Sequence, residues 1–302
     1  MGRKRIALLV VSAVAAAALL VGCAAPAHHL RVMTYNIHHG EGTDGRFDLQ
    51  RIAQVINQQQ PDLVSLQEVD RGTGRAGGVD QALELARLTN MDMAYGKAMD
   101  YDGGAYGVAI LSRTPLRLAT AHPLPHGEGR EPRRALSALI NHEPAGEVLF
   151  IATHLQHNSE DDRVAEAKRI SELFVAAGGP PIVLAGDLNA QPTSPPMDVL
   201  LKDWRDAAAE ASEGRRAAHA PGAPGAAAPT WPSDEPRVRI DYVLFRPLGA
   251  WRVIEAKVID ETIASDHRPL LVVLQWQGKH GSRGRPGARL SFDRHPSSRW
   301  PG

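Results

Sequence analysis

The sequence predicts an α+β fold in which two β-sheets pack on each other with helices outside. Three observations predict it: a strand-helix-strand opening, short strand-like runs interrupted by only a few helix-like ones, and polar residues gathered just after strand ends. Residues of a functional site are then expected along one rim of the sandwich.

The elements follow in order. Leu30–Ile37 alternates apolar residues with strand-forming ones and reads as a strand; Leu49–Gln58 carries Leu49, Ile52, Ala53 and Ile56 at helical spacing; Leu63–Val69 is a buried strand entered through Pro61. Gln81–Leu88 is expected to be helical, and Gly107–Leu111, Arg134–Ile140 and Val148–Thr153 to be strands. Glu160–Ala176 is the strongest helix, with a stripe of Val164, Ala167, Lys168, Ile170, Leu173 and Phe174 and the Gly178–Gly179 pair to end it. Pro181–Ala185 makes a short buried strand. Ala207–Pro229, dominated by Ala, Gly and Pro, is expected to be a surface excursion without a regular element, too short to divide domains. Arg239–Phe245, Ala250–Ile259 and Pro269–Trp276 return to strand composition, and no internal repeat is present.

The 302 residues, 43% of them hydrophobic, suffice for one large core. Lys plus Arg equal Asp plus Glu at 34 each, but nine of the basic residues and one acidic residue lie in the two ends. Between Ala24 and Trp276 that leaves 25 basic and 33 acidic residues, a formal charge of −8. A body of that sign gives non-specific duplex binding no broad electrostatic footing. The basic tail, 277–302, reads as a solvated end rich in Gly, Ser, Pro and Arg.

Arg3–Arg5 precede an apolar stretch, Ile6–Val21, which closes on Leu20-Val21-Gly22-Cys23. The stretch has the layout of a signal peptide, and its length is near the lower limit for a membrane span. The closing residues resemble a bacterial lipoprotein processing site, which implies a signal peptide over 1–22, a lipidated Cys23, a tether over 23–29 and a location in the cell envelope, on the periplasmic face or at the outer membrane. Cys23 is the only cysteine, so no disulfide forms within the chain and no thiol is left for catalysis or zinc.

Six short segments place acids, amides and histidines at expected strand ends. They are Thr34-Tyr35-Asn36-Ile37, Gln67-Glu68-Val69, Thr153-His154-Leu155, Gly186-Asp187-Leu188-Asn189, Arg239-Ile240-Asp241-Tyr242 and Ser265-Asp266-His267-Arg268-Pro269. Taken singly, Asn36 could be a turn residue, Asp187-Leu188-Asn189 a loop cap, Asp241 a salt-bridge partner of Arg239, and Asp266 a turn cap. Glu68 follows the apolar run Leu63–Leu66, where a buried charge without a purpose is expensive. Hard oxygen donors such as Glu68, Asp266 and the amide of Asn36 suit Mg²⁺ or Mn²⁺. Clustered cysteines or histidines at short helical spacing, which a zinc enzyme would show, are absent from the sequence.

In this order the six segments resemble the endonuclease/exonuclease/phosphatase family over Leu30 to Trp276. The resemblance implies a four-layer α/β/β/α sandwich of mostly antiparallel sheets, one domain over 30–276, and a metal-dependent phosphodiester hydrolase. It further implies that Asp187 orients or deprotonates the attacking water with Asn189 beside it, that His267 faces the scissile phosphate, and that Asp241 holds His267. A carboxylate on one imidazole nitrogen favours the cationic ring, and His154 is expected to do similar electrostatic work from another strand end. His38, His39 and His157 are expected to support the site or face substrate, and Arg134 to make a contact between the sheets.

Subgroup patterns narrow the substrate. Abasic-site endonucleases of the family usually carry Tyr where this chain has His154, and inositol polyphosphate 5-phosphatases have Cys-Asp-Arg where it reads Ile240-Asp241-Tyr242. Asn36-Ile37-His38-His39-Gly40, Gln67-Glu68-Val69-Asp70 and Thr230-Trp231-Pro232-Ser233 look more like a bacterial branch related to sphingomyelinase-like enzymes and to proteins that remodel lipid anchors. The expected substrate is a lipid or small phosphodiester, with DNA or RNA second and a non-catalytic binding module third. An aromatic, apolar rim favours lipid and a basic groove favours nucleic acid. The expected partners are that substrate and, through Cys23, a membrane, and the chain is expected to be a monomer.

Overall fold

The computed structural model describes residues 29–175, 179–217 and 228–278. The signal-peptide, tether and tail segments otherwise lie outside the described residues, as does 218–227; His29 already belongs to the first strand.

Two six-stranded sheets make the body. In the first, β1 (His29–Asn36) pairs in parallel with β2 (Leu63–Arg71), and the crossover between them is α1 (Leu49–Gln59). The helix begins at Asp48, whose carboxylate accepts the Arg51 N–H, and stops at Gln60 in the left-handed region. After α2 (Gln81–Thr89), β3 (Asp92–Tyr101) and β4 (Gly104–Ser112) form a hairpin on the free side of β2. The second sheet repeats the scheme. Strands β5 (Arg117–Pro123), β6 (Arg134–His142) and β7 (Gly146–His154) run antiparallel, and α3 (Glu160–Phe174) carries the chain to β8 (Ile182–Asp187), parallel to β7. Beyond α4 (Pro195–Leu200), β9 (Arg205–Asp206) and α5 (Ala207–Ala217), β10 (Asp241–Arg246) adds antiparallel to β8. Strands β11 (Trp251–Val258) and β12 (Leu270–Trp276) return to the first sheet beside β1.

Alternation along each strand produces the four layers. Val32 of β1, Val108 and Ile110 of β4, Phe150 of β7 and Val183 of β8 share the core between the sheets. Met33 and Tyr35 point the other way onto α1 and α2, while Ile151 and Leu184 meet Ala167, Ile170 and Phe174 of α3.

The predicted sandwich stands, with differences in detail. Strand β3 escapes prediction because its inward residues are small: a Cβ on Gly96 would come 3.1 Å from Leu136 of the facing sheet. Strand β5 is an edge strand exposed on nearly every residue, so no apolar pattern marks it. The expected excursion at Ala207 begins instead with α5. Alanine is a strong helix former, the Asp206 carboxylate accepts the N–H groups of Ala208 and Ala209, and Ala207 and Ala208 are fully buried against the core. On α3 the buried face is Glu166, Ala167, Ile170 and Phe174, and Lys168 is exposed.

Glu166 is an acid inside the fold. Burial pushes its carboxyl up to about 8, although Oε2 accepts the Gln156 N–H at 2.8 Å. A raised acid holds its proton in the folded state after the unfolded chain has lost it, so its penalty on stability is absent below the unfolded value, grows between about 4.5 and 8, and then levels off. Glu166→Gln keeps the acceptor and removes the titration. Denaturant unfolding across pH 5–9 is expected to show the variant gaining on wild type as pH rises through that window, and parallel profiles would contradict the assignment.

Candidate active site

The topology gathers the polar residues. In each strand-helix-strand unit the C-terminal ends of the two parallel strands lie side by side. That puts Asn36 of β1 next to Gln67 and Glu68 of β2, and His154 of β7 opposite Asp187 of β8. Antiparallel neighbours contribute their beginnings to the same rim. Asp241 opens β10 directly opposite Asp187, Asp266 and His267 lead into β12, and Arg133 leads into β6. Glu68, Arg133, His154, Asp187, Asp266 and His267 border a cavity of about 670 Å³, with Asn36, Gln67 and Asp241 buried behind them.

Backbone irregularities aim two of these side chains. Gln67 and Glu68 stand opposite Val108 alone, a β-bulge, and Glu68 takes φ +57°. Asn189 takes φ +47°, with its N–H on Asp187 Oδ1 at 2.9 Å. His38 and His39 also have positive φ, so left-handed backbone recurs around the cavity. Gly186, just before Asp187, has no room for a side chain, because a Cβ there would run into the Thr153 carbonyl.

The contacts define two groups that meet at Asp187. Asp241 Oδ2 lies 3.0 Å from His267 Nδ1, and His267 Nε2 lies 3.6 Å from Asp187 Oδ2. Burial opposes a charge on His267, but the Asp241 and Asp187 carboxylates outweigh it and push the ring up to about 10. Burial pushes the Asp187 carboxyl up, against the positive His267, with Asp241 across the strand pair adding to the rise. Asp241 is not a salt-bridge partner of Arg239, which bonds Asp206 at 2.6 Å and stacks 4.4 Å over the Tyr242 ring.

His154 departs from expectation. Its Nδ1 accepts from Arg133 Nη1 at 3.0 Å, because a guanidinium only donates, and its Nε2 lies 3.5 Å from Asp187 Oδ2. Burial first, and Arg133 second, push the ring well below the ordinary histidine value. His154 is therefore neutral, with Nε2 3.0 Å from the Asn189 amide nitrogen, and the permanent positive charge of this wall is on Arg133.

Glu68 sits on the facing sheet. Asn36 Nδ2 donates to Glu68 Oε1 at 3.0 Å and to Asp187 Oδ2 at 3.1 Å, while Asn36 Oδ1 accepts the His38 N–H. Burial works against the Glu68 charge, but His39, Asn36 and the positive His267 hold the carboxyl well below the usual carboxylate range. Its Oε2 takes no hydrogen bond from a described residue, and His39 Nδ1 stands 4.0 Å away. Asp266 Oδ2 accepts Trp231 Nε1 at 3.3 Å.

Two sets of donors compete for a cation. Asp187, Asp241 and His267 offer ligand atoms within 4.8 Å of one another. That cluster is already compensated by the protonated His267, and a metal there would have to expel the proton. Glu68 is ionised and has an oxygen free, which fits a hard divalent cation better, with Asp266 on the same cavity and Asn36 bonded to the other Glu68 oxygen.

Residues 33–267 match the family described as Endonuclease/Exonuclease/phosphatase. The chain belongs to this family. The protein YbhP of Escherichia coli (strain K12), described as uncharacterized, is 26% identical over 267 residues, covering 80% of this chain and 94% of its own length. An endonuclease/exonuclease/phosphatase structure from Beutenbergia cavernae DSM 12333 is similar with a TM-score of 0.68 at 28% identity, covering 82% of this chain and 72% of that one. A mannosyl-6-phosphatase from Bacteroides thetaiotaomicron VPI-5482 shares the fold, with a TM-score of 0.64 at 18% identity over 82% of this chain and all of its own. Endonuclease/exonuclease/phosphatase proteins are hydrolases of phosphoric esters, and the acids, amides and histidines of the six segments stand on one rim here as such chemistry needs.

Sequence reasoning missed Arg133. It is 2% exposed, donates to His154 and His157, and lies 3.0 Å from Glu131, whereas Arg134 bonds only the Arg133 carbonyl among its described side-chain contacts. The available signal was its place two residues before Ala135, which pairs with Thr153 next to His154. Among the remaining histidines, His38 and His157 line the cavity, and His39 is fixed between Glu41 and Glu68.

Proposed function

We propose that the protein is a divalent-metal-dependent phosphodiesterase acting on a small or lipid phosphodiester. The observation that carries this reading is the Asp241–His267–Asp187 chain of contacts facing an ionised Glu68 across one cavity. Asp187, whose proton affinity is raised by burial, takes a proton from water held with Asn189. The cationic His267, oriented by Asp241, stabilises charge developing on the phosphoryl oxygens. His154 packs its ring against the Asn189 amide and keeps Asn189 in place beside Asp187. Mg²⁺ or Mn²⁺ on Glu68, with Asp266 and Asn36 at hand, supplies positive charge to the phosphoryl group when bound.

A small substrate is favoured over nucleic acid because the rim carries Met99, Tyr101, Trp231, Val238 and Ile240 in place of a run of cations, on a body of negative charge. The same apolar, aromatic rim suits a lipid substituent as well as a small one. We propose that Cys23 is lipidated and holds the chain at an envelope membrane. Strand β1 starts at His29, at the end remote from Asn36, so about 23 Å of strand separates tether from rim.

Hydrolysis of bis-p-nitrophenyl phosphate, sphingomyelin vesicles and plasmid DNA by the full-length chain with Mn²⁺ tests the reading. Turnover of the small diester or of sphingomyelin above plasmid DNA is expected; a strong preference for plasmid DNA would overturn the substrate class. Cys23→Ala is expected to leave the membrane fraction and keep activity, and unchanged retention would remove the anchor.

A further inference from the structure

The cavity extends beyond the residues the chemistry uses. In the first sheet the order runs β12, β1, β2, β4, β3, so the end of β3 lies two strands, about 10 Å, beyond the Glu68 column. The wall there is made by Met99 and Tyr101 of β3 and Tyr106 of β4. Tyr101 is 40% exposed, although tyrosine at the end of a hairpin has room to fold away.

The protein holds that ring in place from behind. Arg75 Nε and Nη2 donate to the two oxygens of Asp70 at 2.6 and 2.9 Å, and the Arg75 guanidinium carbon lies 4.6 Å from the Tyr101 ring centre and 5.7 Å from that of Tyr106. Asp70 is fully buried and also accepts the Thr73 hydroxyl. The Arg75 N–H donates to Asp102 in the β3–β4 turn, so the loop after β2 is tied to the hairpin that carries Tyr101. Both cavity-lining arginines are matched, Arg75 by Asp70 and Arg133 by Glu131. Neither is left over for a second phosphate, and the surface they back is planar and apolar.

We propose that Met99, Tyr101 and Tyr106, braced by the Arg75–Asp70 pair, form a subsite for a planar or apolar ester substituent next to the scissile phosphate. The inference rests on the phosphodiesterase reading and names what that site selects. Arg75 and Asp70 act as positioning residues, and Tyr101 as the specificity-determining contact.

The test compares the full-length wild type, Tyr101→Ala and Tyr101→Phe on bis-p-nitrophenyl phosphate and methyl p-nitrophenyl phosphate, which share a leaving group. Loss of one aromatic contact is expected to raise KM for the bis ester about ten-fold in Tyr101→Ala with kcat little changed, and Tyr101→Phe is expected to restore it. A loss confined to the bis ester puts the ring on the retained substituent, and an equal loss on both esters puts it on the leaving group; either supports the subsite. A KM within about two-fold of wild type in Tyr101→Ala, or a loss that Tyr101→Phe does not repair, overturns it. Failure of the wild type to turn over either ester would count against the phosphodiesterase reading itself, a distinct result.

Discussion

Replacing His267 by alanine is expected to lower kcat by about a thousand-fold or more while the chain still folds. The ring is the one protonated group among the described residues in contact with both Asp241 and Asp187, and the two carboxylates stand opposite each other across β8 and β10. Removing it takes away the charge proposed to face the phosphoryl oxygens. Two buried carboxylates then lose their counter-charge, and proton uptake by one of them relieves the repulsion, so the fold survives with lower stability. Asp241→Asn acts only through the ring and is expected to lose less, about ten- to a hundred-fold, and the double variant is expected to be no worse than His267→Ala alone. Steady-state kinetics with a thermal-melting control checks this; a His267→Ala enzyme within about ten-fold of wild type would remove the role assigned to the ring.

Glu68→Gln is expected to weaken Mn²⁺ binding and to abolish turnover at metal concentrations that saturate the wild type. The substitution keeps the shape and an acceptor for Asn36 Nδ2 and deletes only the charge. Calorimetric titration with Mn²⁺ separates the two donor sets. If Glu68 holds the ion, Glu68→Gln loses affinity and Asp241→Asn changes it little. The reverse order would move the metal to the Asp187, Asp241 and His267 cluster.

Much of the fold was readable because its elements obey simple periodicities. Strands β7 and β8 hold near-continuous apolar runs and β1 and β2 are buried along most of their length, as expected for parallel pairs covered on both faces, and the acids and amides at their ends mark the rim. Their order in the chain identified the family where any one segment was ambiguous, and Asp241 illustrates it: the neighbouring Arg239 suggested a salt bridge that the structure gives to Asp206. What was not readable depends on partners distant in sequence. The neutrality of His154 follows from Arg133, 21 residues earlier, and from burial. The bulge at Glu68 is set by pairing with β4, and the hydrogen bonds from Gln67 to Ser65 and from Ser65 to the Ala185 carbonyl join the two sheets beneath the site. Glu166 lay hidden because a charged residue in a mixed stripe is read as solvent-facing until its neighbours are known.

The central claim is that a divalent cation on this rim drives phosphodiester hydrolysis. It is tested most directly by measuring bis-p-nitrophenyl phosphate turnover before and after EDTA treatment, and again after Mg²⁺ or Mn²⁺ is restored. Turnover that disappears with EDTA and returns with either ion is the predicted result; turnover that persists in EDTA, or a folded protein that hydrolyses no ester with metal present, would contradict it.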